Sequence, residues 1–575
     1  MPVHNADIAA VFDEIADLLE IDNANPFRVR AYRNAALTLR DLGREVTGLI
    51  KEGVDLTELP GIGKDLAAKI EEIAETGGAA TLNKLHKRLP HSLTDLLKIP
   101  GLGPKRVRML QQELDIHTME QLHRAARDGR IRELPGFGEK TEAHILEMIE
   151  VHGGASERMK LAQAGQYARS LIEYLKQVSG VQDVIVAGSF RRAKETVGDL
   201  DILVTATGKS PVIKRFISFE DVKDVVSHGP TRATVVLRND LQVDLRRVAK
   251  ISYGAALHYF TGSKSHNIAV RRLGQARGLK INEYGVFRGK TQIAGDTEES
   301  VYGTVGLPYI EPELRENRGE IEAALAGRLP HLIELKDLKG NLHTHTKATD
   351  GHNTLREMTS AAREHGFEYL AITEHSRHLT VAHGLDPTQL LKQLDQIDEL
   401  NKELSDITLL KGIEVDILED GSLDLPDSIL AKLDLVIGAV HGNFNLSREK
   451  QTKRILRAMD QRYFTILAHP SGRLIQERDP YDVDMMKIIR HARHRGCYLE
   501  LNAQPQRLDL LDTYCHAARD EGVLICINAD AHSTLDIDNL RYGVGQARRG
   551  WLEKKDVLNS RTLKQLRPLL KKTMA

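Results

Sequence analysis

Cysteine is scarce: Cys497, Cys515 and Cys526 are the only three in 575 residues, and no two form a C-x-x-C pair. That excludes a cysteine zinc cluster and fits a reducing compartment rather than a disulfide-stapled fold. No run approaches 18 apolar residues, so no segment qualifies as a membrane span. The opening MPVHNADIAAVFDEIADLLE is acidic and amphipathic, without the basic segment and apolar core of a signal peptide, and the chain reads as cytoplasmic. An excess of either charge is missing too. Lys+Arg number 80 against 81 Asp+Glu, a net charge of -1, so no global positive field marks a nucleic-acid binder and any such contact must come from local patches.

What is present begins with length, which predicts several domains of about 100–200 residues each. Residues 1–155 carry apolar positions at helical spacing and contain a short repeat. LPGIGKDLAAKI (Leu59 to Ile70), IPGLGPKRVRML (Ile99 to Leu110) and LPGFGEKTEAHI (Leu134 to Ile145) share an apolar-P-G-apolar-G frame leading into a helix. A glycine turn before a helix leaves backbone N–H groups pointing outward, an anion site. Gly61 and Gly63, Gly101 and Gly103, and Gly136 and Gly138 let the backbone approach a phosphate, while Lys64, Lys105 and Lys140 add charge. One such turn is more often a packing device; three copies favour phosphate contacts that position a duplex without reading its sequence. The motif resembles the helix-hairpin-helix of DNA repair proteins.

Strands and helices mix from about 158 to 305. In TVGDLDILVT, Asp199 and Asp201 sit two apart on a strand and so share a face. A divalent ion offsets their repulsion. Upstream, VIVAGSFRR ends in small residues, Gly188 and Ser189, that suit phosphate oxygens, with Arg192 as a fixed charge. Asp244, in LQVDLRRV, adds a third carboxylate. Alone, a D-x-D would read as a solvated edge; with the rest it describes a two-metal phosphoryl-transfer site.

G-S-F-R-R, G-D-L-D, VDLRR, YFTGSKSHN (Tyr259 to Asn267) and INEYG (Ile281 to Gly285) together resemble the family X DNA polymerases, of the polymerase beta type, over about residues 1–310. The resemblance implies Asp199, Asp201 and Asp244 as catalytic ligands of Mg²⁺ or Mn²⁺, and Gly188, Ser189 and Arg192 as triphosphate contacts. It implies Tyr259, Phe260, Gly262 and Asn267 at the incoming nucleotide and Arg271 at the template minor groove. Lys264 stands where the relative has an acid, an extra cation for the nucleotide. NPFRVRAYRNAALTL resembles the polymerase beta lyase domain, with Lys69 at its Schiff-base position. Phe27 and Asp65 replace assisting basic residues, so phosphate contact is the favoured role of Lys69.

Beyond a charged connector, short apolar strands alternate with helices, the rhythm of a parallel sheet or barrel. NLHTHTKATDG puts His343 and His345 on one strand face, with Asp350 in the following loop. His375, Glu414, His441, His469, Asp530 and His532 follow at the ends of successive strands. Six histidines and three carboxylates there suit more than one Zn²⁺ or Mn²⁺. This half resembles the PHP domain. The resemblance implies three ions: His343, His345, Glu414 and Asp530 at one, Glu414, His441 and His469 at a second, and Asp350, His375 and His532 at a third.

The expected fold is therefore multidomain: an all-α helix-hairpin-helix N-terminal region, an α+β polymerase beta-like palm and thumb, and a C-terminal α/β distorted (β/α) barrel of PHP type. Expected boundaries are 1–80 (lyase-like), 81–155 (helix-hairpin-helix fingers), 156–250 (palm), 251–315 (thumb), 316–336 (linker) and 337–575 (PHP). The expected function is gap-filling repair synthesis on gapped or primer-template DNA with dNTPs. A metal-dependent 3′-5′ exonuclease and an abasic-site endonuclease complete it, in a monomer with no membrane partner. The alternatives make the PHP half a small-monoester phosphatase or a metal-stabilised scaffold.

Overall fold

The computed structural model describes residues 3–42, 44–89, 92–97, 99, 102–151 and 158–575. The chain divides into two compact units. One comprises Met1–Arg158 with the short segments Glu220–Lys223 and Val236–Leu241; the other comprises Met159–Phe219, Asp224–Val235 and Gln242–Ala575. Among the described residues no helix is long and apolar enough to cross a membrane.

The described residues of the first unit's 1–158 segment are helical. Apolar positions at helical spacing on Asn5–Ile21 bury Ile8, Phe12, Ile15 and Leu19, and Phe12 meets Tyr32 of the helix Pro26–Asp41 edge-on. Asn25 caps that second helix, its side chain accepting from Phe27 N–H at 2.9 Å, with Pro26 at the first helical position where it costs no hydrogen bond. The glycine repeats fold alike. In each, the second apolar residue closes a turn on the first: Ile62 N–H on the Leu59 carbonyl, Leu102 on Ile99, Phe137 on Leu134. In each, the second glycine's carbonyl accepts the first helical hydrogen bond, from Ala67, Val107 and Glu142. Gly61 and Gly136 adopt positive φ, +67° and +80°. Gly101 lies outside the described residues.

In the second unit a five-stranded sheet runs in the order Val181–Val186, Asp199–Ala206, Gln242–Val248, Arg232–Leu237, Val222–His228. The first pair is antiparallel and the second parallel. Helices Tyr253–Thr261 and Lys264–Ala276 follow, then a three-stranded antiparallel sheet and the helix Glu298–Thr304. A buried arginine ties this region together: Arg315 binds Glu298 and, through Nε, the Ile310 carbonyl at 2.8 Å, while Arg191 donates to the same Glu298.

From Gly340 onward eight strands pair in parallel, three in one sheet and five in another. Single parallel bridges, His375 to Glu414 and Thr344 to Ala531, link segments of the two sheets. All but Thr408–Lys411, whose ends are half-buried, are buried along their whole length, as helix-covered parallel strands are. The chain breaks between Thr408–Lys411 and Glu414–Asp416, so Glu414 opens a strand where the sequence reading puts a strand end. Gly412 lies in that break and packs close to the neighbouring strand's end: a Cβ there would lie 2.7 Å from Thr373 Cγ2.

Candidate active sites

Parallel pairing in register sets Asp201 opposite Asp244, and strand alternation places Asp199 on the same face. An oxygen of each lies within 4.8 Å of the others. Burial, then the Asp199 and Asp244 charges, raise the Asp201 carboxyl to about 7. Three converging carboxylates with one driven towards protonation fit a hard divalent cation. Asp244 is aimed by Thr234 Oγ1, donating at 2.6 Å, and by Gln242 Nε2 at 2.8 Å. The turn at Gly188 approaches this cluster only because it lacks a side chain. At φ +62° an added Cβ would stand 2.7 Å from Asp201 Oδ2.

Ser189 is half-buried on that turn. Arg192 follows it, its Nε donating to Glu316 Oε1 at 2.9 Å and its Nη1 to the Thr261 carbonyl at 2.8 Å. Tyr259 and Phe260 meet edge-on with centroids 5.0 Å apart, Arg271 lying over the first ring and Arg246 over the second. Asn267 Nδ2 donates to the Tyr259 carbonyl at 2.7 Å, and a Cβ on Gly262 would collide with its Oδ1. Lys264 is exposed in the first turn of its helix. Of the lysines in the glycine turns, Lys64, Lys105 and Lys140 each fall in the first turn of a helix; Lys69 Nζ is instead ion-paired to Asp65 at 2.5 Å.

In the histidine cluster His343, His345, His375 and His469 are buried, while His441 and His532 are half-buried. His345 stacks between His375 and His532, each centroid pair 4.3 Å apart. Three groups of ligand atoms close to within 4.8 Å: His345, Asp350, His375 and His532; His343, His345 and Asp530; His375, Glu414 and His441. His345 and His375 each serve two groups, a different partition from the one the resemblance implies. His469 Nε2 lies 3.0 Å from Glu414 Oε1. Buried His343 Nε2, both His345 nitrogens, His375 Nδ1, Asp350 Oδ1 and Glu414 Oε2 make no hydrogen bond, so cations fit where these atoms converge.

Electrostatics point the same way. Burial lowers His345 to about 3, helped by His375 and His532, leaving a neutral imidazole. Burial also opposes charge on His375, His441 and His532, but carboxylates outweigh it and raise each to about 9: Glu414 and Asp350 for His375, Glu414 and Asp416 for His441, Asp350 and Asp530 for His532. Backbone φ is positive at His469 (+27°) and Asp530 (+49°), strain of a kind held at functional sites.

The chain is 39% identical over 577 residues to the DNA polymerase/3′-5′ exonuclease PolX of Bacillus subtilis (strain 168), covering 99% of this chain and 100% of that protein. It belongs to the family X DNA polymerases that carry a PHP domain. Its family matches run in the order Helix-hairpin-helix domain (residues 3–79), SAM-like Helix-hairpin-helix tandem (93–149), DNA polymerase beta palm (158–255), DNA polymerase beta thumb (256–316) and PHP domain (341–535). A probable phosphatase of Thermoanaerobacter sp. (strain X514) is 29% identical over 230 residues, 38% of this chain and 89% of that protein. Another, from Caldanaerobacter subterraneus, is 28% identical over 207 residues, 34% of this chain and 76% of that protein.

In this family X chain the structure adds buried groups that sequence reasoning misses. His343 Nδ1 is 2.7 Å from Glu500 Oε1, and the same carboxylate accepts from His469 N–H and Asn528. His441 Nδ1 is 2.8 Å from Asp416 Oδ1, and Asn502 Nδ2 donates to Asp530 Oδ2 at 2.9 Å. Glu374 accepts from Thr346, Thr349 and Gln393, fixing the loop that carries Asp350. Such partners hold imidazoles in one tautomer and orientation. A carboxylate inside an otherwise apolar strand, as Glu500 is in YLELN, was the available signal.

Proposed function

We propose that this polymerase fills short gaps in DNA during base excision repair, by two-metal nucleotidyl transfer at Asp199, Asp201 and Asp244. We also propose that its PHP domain, residues 337–575, degrades DNA from the 3′ end, with endonuclease action at abasic sites. The observation that carries the first part is the trio of carboxylates, Asp201 and Asp244 in register and Asp199 on the same face, with Gly188 pressed against it. When bound, Mg²⁺ or Mn²⁺ at the carboxylates and Zn²⁺ or Mn²⁺ at the histidine cluster supply Lewis-acid stabilisation of charge on phosphoryl oxygens.

The chain's own groups do the positioning. The Gly188–Ser189 turn offers backbone N–H groups and Arg192 a guanidinium to the triphosphate. Tyr259 and Phe260 form a flat wall for sugar and base, with Gly262 leaving room for the ribose, Asn267 bracing the turn and Lys264 adding charge. Arg271 meets the template side. Residues 1–80 and 81–155 hold the DNA backbone through the glycine turns, and 251–315 carry the nucleotide contacts Tyr259, Phe260, Gly262, Lys264 and Asn267. In the PHP domain His343, His345, Asp350, His375, Glu414, His441, His469, Asp530 and His532 would hold the ions.

The exonuclease reading draws on the printed name of the Bacillus subtilis relative. The probable phosphatases that match this half favour a second reading, hydrolysis of small phosphate monoesters. Purified protein with Mn²⁺, a labelled primer and a small monoester separates them. The first reading expects shortening of the primer, lost in Asp530→Ala; monoester turnover alone favours the second. Equal shortening by both proteins contradicts the exonuclease reading.

A further inference from the structure

We infer that Arg549, in the PHP domain, is a positioning residue for nucleotide addition, holding Arg192 and the turn after it in place for the incoming triphosphate. The inference rests on the reading of Arg192 as a triphosphate contact.

Arg549 ends the helix Leu540–Arg549 and is 5% exposed. Its Nη1 donates to the Arg192 carbonyl at 2.9 Å and to Glu316 Oε1 at 3.0 Å, and its Nη2 to Asp512 Oδ2 at 2.8 Å. Glu316 Oε1 is the same oxygen that accepts from Arg192 Nε at 2.9 Å. One carboxylate oxygen is therefore shared by two guanidiniums, in a chain running Arg192, Glu316, Arg549, Asp512 and Arg318. Burial pushes the Glu316 carboxyl up, but Arg192 and Arg549 outweigh it and keep it ionised.

The PHP domain holds the following residues as well. Ala193 sits at φ +51°, and a Cβ on Gly545 would lie 3.1 Å from its own Cβ; Glu195 is paired to Arg473 Nη2 at 2.8 Å. Arg473 belongs to the loop after His469, so the loop following one expected site is gripped by elements of the other. A carboxylate that binds Arg192 competes with a triphosphate for it. Arg549 weakens that competition by taking part of the Glu316 charge, and its bond to the Arg192 carbonyl fixes the backbone. Without it, Glu316 engages Arg192 more fully and the turn loses an anchor.

Steady-state gap filling by the full chain tests this. Arg549→Met is expected to raise the dNTP KM roughly five- to tenfold with kcat within about twofold, because ground-state binding is what is lost. Arg549→Lys, which keeps the charge but not the fork, should fall between. Glu316→Gln added to Arg549→Met should restore KM towards wild type by releasing Arg192. Arg192→Ala separates the two claims. If it raises KM and Arg549→Met does not, the positioning role is wrong; if it leaves KM unchanged, the reading of Arg192 falls and the inference with it. A loss of kcat and unfolding temperature in Arg549→Met and Arg549→Lys that Glu316→Gln does not relieve would reduce Arg549 to a structural brace and overturn the proposal.

Discussion

A carboxyl raised to about 7 changes charge within the physiological range, and Asp201 is such a group, through burial and two neighbouring carboxylates. The sign is direct. Below pH 7 the cluster carries a proton that a divalent ion must displace, so Mg²⁺ affinity should fall as pH drops through 7 and level off above it. Calorimetric titration at pH 6 and pH 8 should show weaker binding at pH 6, by about tenfold for one displaced proton, with that proton released to buffer. Equal affinity at both values would contradict a raised Asp201 carboxyl. Asp199 and Asp201 are legible in the sequence because strand alternation alone puts them on one face. Their pairing with Asp244 is legible only as chemistry, since register between distant strands is a tertiary fact. Asp416 and Glu374 escape for the same reason: each reads as an ordinary strand or loop residue until folding brings a histidine or threonine against it.

Among the elements, the three glycine turns are the most predictable. The P-G-x-G frame specifies both the hydrogen-bonded turn and the helix start, and all three copies share the same turn-closing and first helical hydrogen bonds. Their glycines divide into two kinds. Gly61 and Gly136 need positive φ, so substitution there strains the backbone by about 1–2 kcal/mol. Gly63, Gly103 and Gly138 have ordinary φ and open space where a Cβ would stand, so a side chain there meets nothing in the protein. Both Gly63 and Gly103 are helix N-caps, where threonine serves as well as glycine, so Gly63→Thr with Gly103→Thr should leave the unfolding temperature near wild type, yet weaken binding of gapped DNA and flatten its salt dependence. On duplex DNA the log–log slope becomes shallower by about 0.9 for each phosphate that the protein ceases to neutralise. Unchanged affinity and slope would take these turns off the DNA surface. Harder to read is the break before Glu414, where ITLLKGIEVDI reads as one strand but folds as two, Thr408–Lys411 and Glu414–Asp416.

For the molecule as a whole, the order of modules follows from local patterns: helical spacing, then mixed strands, then alternating strands and helices. How the PHP residues grip the 192–195 turn does not, because ion pairs such as Arg549 with Glu316 join positions 233 residues apart and leave no periodic trace. Centrally, one chain is held to carry two separate sites, one lengthening a primer and one shortening it. A single end-labelled primer in gapped DNA reads both directions, with dNTPs present or withheld. Asp201→Ala should abolish lengthening while shortening continues, and Glu414→Ala should abolish shortening while lengthening continues near the wild-type rate. Loss of both activities in either variant, with the protein folded, or survival of lengthening in Asp201→Ala, would contradict the account.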